Sequence, residues 1–272
     1  LPRLLEVVAR LGGIEPHQTY HEPFMGGGAL YHALAPAKAR LNDASPELVR
    51  CIRAIQVDAP AVLSALTSLV ASFPGHTDRP AQQVYYNNIR ALFNAKHDND
   101  AVHAGAMIFL NRTCFNGLWR VNASGEFNAS LGRYKKPAFP GATDLDAVAA
   151  RLFSTVITLG NYSTALDATR RGDLAFLDPP YGGVQGEAGF TAYTAGGFGV
   201  GQQRWLVEVI RILHARGVRV ILTNGDFPGN RAAYEAAGLT VECLNEMRRI
   251  NTDTTARGAV PCLLAWSRHA AT

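Results

Sequence analysis

Leu174-Ala175-Phe176-Leu177-Asp178-Pro179-Pro180-Tyr181 is the stretch that decides the fold. Four consecutive apolar residues predict a short buried strand rather than one with a solvated face. An acid ends it. Two prolines follow, which fix φ and donate no backbone hydrogen bond, so the carbonyls around them point in set directions. An acidic acceptor and a ring face, Asp178 and Tyr181, can hold one planar base. An amino group on that base meets the acceptor while the ring stacks on the tyrosine. The plain alternative is a strand-ending Asp-Pro turn, which is common.

Outward from this strand the chain alternates strands and helices. Upstream, a helix around Leu145–Leu152 precedes a β-branched strand, Thr155–Leu159. Downstream, a glycine-rich loop spans 182–200 and is expected to be mobile. Leu206, Val209, Ile210 and Leu213 then form one apolar helical stripe. Strands at Val218–Leu222, Leu239–Leu244 and Val260–Trp266 follow, with a helix at Arg231–Ala237. At the front, Leu4, Leu5, Val8 and Leu11 recur at helical spacing, and Thr19 to Pro23 leads as a short strand into Phe24-Met25-Gly26-Gly27-Gly28. Ala29 to Leu34 is helical, and Lys38 to Leu41 is a strand ending at Asn42-Asp43. This alternation predicts an α/β fold with a mostly parallel sheet covered on both faces.

Between Ser45 and Thr143 the alternation stops. Helical patterns at Leu48–Ile55, Ala61–Val70, Pro80–Ala95 and Val102–Leu110 run into a polar, glycine-spaced basic segment, 111–137. The expectation is a Rossmann-like domain made of 1–44 and 144–272, with a largely helical domain, 45–143, inserted and ending in a hairpin or loop. The 111–137 segment sets Arg112, Arg120, Arg133, Lys135 and Lys136 against one acid, Glu126. Arg248, Arg249 and Arg257 face Asp253 in a second basic cluster. Such patches suit a polyanion, although each alone is also an ordinary solvated face.

Composition narrows the class. The chain has 272 residues, 47% hydrophobic, with net charge +4. No run reaches the ~18 uncharged apolar residues of a membrane span. Cys51, Cys114, Cys243 and Cys262 lie far apart without a Cys-x-x-Cys pair. This argues against a zinc site or a disulfide framework, predicts no metal, and fits a reducing cytoplasm.

Ligands of an open parallel sheet sit beyond the carboxyl ends of its strands. Three features fall there. The Phe24–Gly28 loop allows close backbone approach because glycine has no side chain. Asp43, at the end of the next strand, can accept hydrogen bonds from two ribose hydroxyls. Tyr162, just after 155–159, can flank an adenine ring. The run Gly26-Gly27-Gly28 lacks the separated glycines of a pyrophosphate-binding turn, which disfavours NAD or FAD and leaves room for a nucleoside without phosphates, such as S-adenosylmethionine.

Glu22-Pro23-Phe24-Met25-Gly26-Gly27-Gly28, Asn42-Asp43 and Asp178-Pro179-Pro180-Tyr181 follow in the order and spacing of a known family. So do Asn111-Arg112-Thr113-Cys114-Phe115-Asn116-Gly117-Leu118-Trp119-Arg120-Val121-Asn122, Gly125-Glu126-Phe127-Asn128 and Gly132-Arg133-Tyr134-Lys135-Lys136-Pro137. Phe190-Thr191-Ala192-Tyr193 with Gln202-Gln203 completes the set. From about Leu4 to Trp266 the chain resembles the Dam-like DNA adenine N6-methyltransferases. The resemblance implies a Rossmann-like methyltransferase core, S-adenosylmethionine as donor, double-stranded DNA as partner, base flipping and an inserted target-recognition domain. It implies a donor site of Glu22, Phe24, Gly26, Gly28, Asp43, Tyr162 and Asp178, and a target-base site of Asp178, Pro179, Pro180 and Tyr181. It assigns DNA contact to Arg112, Phe115, Asn116, Leu118, Arg120, Asn122, Arg133, Tyr134, Lys135 and Lys136. A cytoplasmic monomer, bacterial or encoded by a phage or plasmid, is expected. The family's aromatic-rich Gly-Gly-Lys motif upstream of the first helix is absent from the sequence. Ser130 stands where GATC-reading relatives often carry proline, and Phe115 where some carry tyrosine, so GATC or a related site is the expected target. The competing expectations are an RNA or protein methyltransferase on the same core, and a DNA-binding protein without activity.

Overall fold

The computed structural model describes residues 1–180, 198–247 and 259–268. The chain forms two compact units. One holds residues 1–45 and the described residues from Ser154 onward; the described part of the other is 46–153.

The first unit is built on a sheet of seven strands: Tyr20–Glu22 (β1), Ala39–Asp43 (β2), Thr155–Leu159 (β3), Leu174–Leu177 (β4), Arg219–Gly225 (β5), Leu239–Met247 (β6) and Ala259–Ser267 (β7). Their order is β3-β2-β1-β4-β5-β7-β6. The first five pair in parallel, and β7 runs antiparallel between β5 and β6. This is a Rossmann-like α/β sheet. The apolar run 174–177 is fully buried as β4, at the centre, where strands have cover on both faces. The helix Val200–Ala215 turns Leu206, Val209, Ile210 and Leu213 into one core with Val218, Val220 and Leu222. Asn42 and Asp43, expected just beyond a strand ending at Leu41, are the last two residues of β2, in register with Thr158 and Leu159. Strand order reverses between β1 and β4, the switch point at which ligand crevices open in doubly wound sheets.

The second unit is helical: Pro46–Ala71 (α3, counting Pro2–Arg10 as α1 and Ala29–Leu34 as α2), Arg79–Asn94 (α4), Asp100–Thr113 (α5) and Ala142–Leu152 (α6). The gap in the sequence pattern between Ile55 and Ala61 is a break in α3: Asp58 leaves the helical region, and its carboxylate accepts the Ala61 amide at 2.9 Å. By length and composition alone α3 would suffice to cross a membrane. Instead it packs on α5 and α6, and Gly105 makes this close approach possible, since a Cβ there would sit 2.9 Å from the Leu66 nitrogen. The helix α6, expected on the far side of a boundary at 143, joins this unit. Its Leu145 enters the helical core, and the Gln56 amide donates to the Leu152 carbonyl at 2.6 Å. Between α5 and α6 the chain makes a hairpin, with antiparallel bridges Cys114–Leu131 and Val121–Phe127.

Candidate active site

At the carboxyl end of β1 the chain turns sharply. Gly26 and Gly28 adopt left-handed φ of 47° and 62°, where a side chain would be strained. A Cβ on Gly26 or Gly27 would meet nothing within 4 Å, so the outer face of the turn is open. The turn is fastened to the end of β2. The Met25 amide donates to the Asn42 carbonyl at 2.8 Å, and the Gly26 amide donates to Asp43 Oδ2 at 3.0 Å. The Ser45 amide donates to Asp43 Oδ1 at 2.9 Å. Burial pushes the Asp43 carboxyl above its ordinary range, against the pull of amides from Gly26, Ser45 and Ala44. Beneath it the buried Asn42 amide donates to the carbonyls of Pro23 and Gly160, both at 3.0 Å. One side chain therefore ties together the loops after β1 and β3.

Aromatic rings line this end of the sheet. Phe24 stacks on Tyr162 with centroids 4.7 Å apart, and Phe198 meets Phe24 edge-on at 5.9 Å. Tyr162 opens the short helix Tyr162–Ala165 that follows β3. Its hydroxyl is buried, finds no partner among the described residues, and is pushed up to about 12 by burial.

At the end of β4, Asp178 is exposed, Pro179 buried and Pro180 half-buried. The Thr223 hydroxyl, on neighbouring β5, donates to Asp178 Oδ1 at 2.5 Å. Behind Thr223, the buried Asn224 amide donates to Gln203 Oε1 at 2.9 Å and to the Tyr234 hydroxyl at 2.7 Å. Glu22, at the end of β1, is 2% exposed. Its carboxyl accepts the Tyr20 hydroxyl at 2.8 Å and the Tyr31 backbone amide. The latter is an orphan donor in the first turn of α2, whose cap residue Gly28 has no side chain to offer. Burial first, and the charge of Asp178 after it, push the Glu22 carboxyl up to about 8.

In the helical unit, Arg112, Phe115, Arg120, Arg133, Tyr134, Lys135 and Lys136 are exposed. Asn116 holds a left-handed φ of 55° beside Phe115, at the head of the hairpin. Arg120 is clasped by Asn128: its Nε donates to Oδ1 at 2.7 Å and its Nη2 to the carbonyl at 3.1 Å. Asn122 builds the tip, accepting the Ser124 and Glu126 amides and donating to Glu126 Oε2 at 2.9 Å.

The sequence matches the family described as D12 class N6 adenine-specific DNA methyltransferase over residues 6–250. The chain belongs to this family. It is 34% identical over 237 residues to the DNA N-6-adenine-methyltransferase of Escherichia phage P1, an alignment covering 87% of this chain but 30% of that longer protein. It is 33% identical to the type II methyltransferase M.MjaIII of Methanocaldococcus jannaschii, covering 85% of this chain and 82% of that one. It is 31% identical to the DNA adenine methylase of Escherichia coli K12, covering 90% and 84%.

Within this D12-class chain the expected site residues divide. Phe24, Gly26, Gly28, Asp43 and Tyr162 converge at the carboxyl ends of β1, β2 and β3, and Asp178, Pro179 and Pro180 end β4. Glu22 turns inward, and its carboxyl is engaged within the fold by Tyr20 and the Tyr31 amide. Leu118 is 9% exposed, and its carbonyl accepts from the Cys114 thiol at 3.5 Å; it packs inward, unlike the exposed Phe115 and Arg120. Tyr181, the 182–197 part of the glycine-rich loop with Phe190-Thr191-Ala192-Tyr193, and the cluster Arg248, Arg249, Asp253 and Arg257 lie outside the described residues. Glu126, the one acid of that segment, accepts from Asn122, while Arg120 is held by Asn128. Thr223 was missed. Its one signal is position, a hydroxyl near the end of the strand beside the Asp-Pro-Pro strand.

Proposed function

We propose that the chain transfers a methyl group from S-adenosylmethionine to the N6 amino group of an adenine flipped out of duplex DNA, at GATC or a related site. The observation that carries this is the exposed carboxylate of Asp178 at the switch point, with one oxygen fixed by Thr223, one strand over from the open glycine turn that Asp43 secures. The donor suits that turn. Asp43 can accept from two ribose hydroxyls, the outer face of Gly26 and Gly27 admits close approach, and Phe24 and Tyr162 offer ring faces. When bound, S-adenosylmethionine supplies an electrophilic methyl on a positively charged sulfur.

The exocyclic nitrogen of adenine is a weak nucleophile, since its lone pair is delocalised into the ring. Asp178 and the Pro179 carbonyl each accept one amino hydrogen, drawing the nitrogen toward tetrahedral geometry and localising the lone pair. Asp178 need not be a strong base, because the amine proton becomes acidic only once the new N–C bond forms. The protein's contribution is alignment and preorganised electrostatics. Extruding the base costs roughly a few kcal/mol. Tyr181 stacks on it, Phe115 fills the space left in the duplex, Arg120 reads a guanine, and Arg112, Arg133, Tyr134, Lys135 and Lys136 hold the backbone.

The test is incorporation of labelled methyl into duplex DNA, RNA and protein offered in parallel, followed by mapping of modified sites in DNA from expressing cells. Labelled N6-methyladenine in DNA is expected, with Asp178→Ala lowering turnover about a thousandfold while donor binding persists. Label in RNA or protein alone, or undiminished turnover in the variant, refutes the proposal.

A further inference from the structure

The hairpin's return strand, 127–132, has a partner on each side, and only one of them is a strand. Even-numbered residues pair with the outgoing arm: the Asn128 amide donates to the Arg120 carbonyl at 3.0 Å, the Phe115 amide to the Ser130 carbonyl at 2.8 Å, and the Gly132 amide to the Thr113 carbonyl at 2.7 Å. The carbonyls of Phe127, Ala129 and Leu131 face helix α4. Asn94 Nδ2 donates to the Phe127 carbonyl at 3.0 Å, and Asn94 Oδ1 accepts the Phe127 amide at 2.9 Å. One primary amide thus exchanges both bonds with one residue, as a residue of a neighbouring antiparallel strand would. The Tyr86 hydroxyl donates to the Ala129 carbonyl at 2.9 Å, and Arg79 donates to the carbonyls of Gly132 at 2.7 Å and Leu131 at 3.1 Å. Tyr86 and Ala129 are buried, so their bond forms where water does not compete for it, while the bonds of Asn94 and Arg79 are half-buried.

We propose that Asn94, Tyr86 and Arg79 are positioning residues for sequence recognition. Helix α4 acts as a rigid surrogate strand that fixes the register of the hairpin and thereby the pose of Arg120 and Phe115 toward DNA. None of the three needs to touch the nucleic acid. The bond pattern itself accounts for the choice of residue types, because each donor meets a carbonyl of the return arm that no backbone amide among the described residues reaches. The inference rests on the proposed role of the hairpin in reading DNA.

The experiment uses the full chain and the target site mapped as above. The ratio of kcat/KM on that site to kcat/KM on single-base variants is measured for Asn94→Ala, Tyr86→Phe and, as reference, Arg120→Ala. Tyr86→Phe removes one hydroxyl and keeps the buried ring, so it guards against a folding defect in Asn94→Ala. Both α4 variants are expected to lower the ratio by about tenfold, the scale of one lost buried hydrogen bond, with donor affinity unchanged. Asn94→Asp, which keeps the acceptor for the Phe127 amide, is expected to recover part of the loss. A full ratio in both α4 variants beside a lowered one in Arg120→Ala overturns the proposal. So does an equal loss of rate on every sequence, the mark of a merely structural role. A full ratio in Arg120→Ala as well would fell the underlying account of the hairpin, and the inference with it.

Discussion

The tip of the central sheet and the hairpin of the helical unit solve the same problem by different means. Each holds a few polar side chains in a fixed pose. At the sheet tip the holding is done by topology. Parallel strands β1, β2 and β4 end side by side, and the main-chain amides of Gly26, in the glycine turn, and Ser45, just beyond β2, grip Asp43. In the hairpin the backbone supplies two isolated bridges, and side chains from α4 make good the remaining bonds. A site held by main chain tolerates exchange of most side chains but not of its glycines. One held by side chains can be loosened a bond at a time.

The largest effect short of Asp178 itself is expected at the sheet tip. Asp43→Asn removes the charge proposed to hold the ribose while keeping one acceptor for the Gly26 or Ser45 amide. Affinity for S-adenosylmethionine, read by calorimetry, should fall roughly tenfold to a hundredfold, the scale of hydrogen bonds to a charged group, with DNA affinity preserved. Unchanged donor affinity would remove Asp43 from the donor site.

In the hairpin, Arg120→Ala should relax base preference by the roughly 1–3 kcal/mol of a guanine contact. Lys135→Ala should weaken all duplexes alike and lower the salt slope of binding by about one. If a binding series finds both variants doing only the latter, Arg120 is not a base reader and the contrast between its clasped guanidinium and the exposed lysine loses its meaning.

Smaller still is the effect expected at Thr223. Its hydroxyl holds Asp178 Oδ1 at 2.5 Å. Thr223→Val keeps the shape and removes the donor, so kcat should fall about tenfold with donor affinity unchanged. Thr223→Ser should restore it. Equal kcat in all three proteins would show that Asp178 is oriented without this bond.

The same division explains what was legible in the sequence. Residues 174–177 and 155–159 are strands as expected, because burial at the sheet centre and β-branching at its edge leave local patterns. Phe24, Asp43, Tyr162 and Asp178 lie at strand ends, as expected for the same reason: glycine, acid and proline mark such ends locally. Thr223 and Asn94 have no such mark. Each acts on a partner far along the chain, 45 residues away for Thr223 and Asp178, and 33 for Asn94 and Phe127. A lone threonine or asparagine carries no periodic signal. Leu118 and Glu22 turn inward, which their segments do not reveal. Both sit inside segments that resemble the family motif, yet a motif records which residues occur together, not which way each turns. Glu22 turns inward because α2 begins at a glycine and needs an acceptor for its first-turn amide.

That inward turn has a pH signature. The Glu22 carboxyl titrates at about 8 in the folded chain against an ordinary value of 4.5. Between those values the folded state keeps a proton that the unfolded state has released. Stability therefore falls as pH rises from about 4.5 to about 8, and the loss is complete above the folded value. Glu22→Gln cannot ionise and still offers an acceptor to Tyr20 or Tyr31. Thermal unfolding should find the variant close to the parent at pH 5 and more stable at pH 9, by on the order of a few kcal/mol. A difference of the same size at both pH values would show that Glu22 is charged in the fold. The two donors, the Tyr20 hydroxyl and the first-turn amide of α2, would then outweigh the burial of the carboxylate.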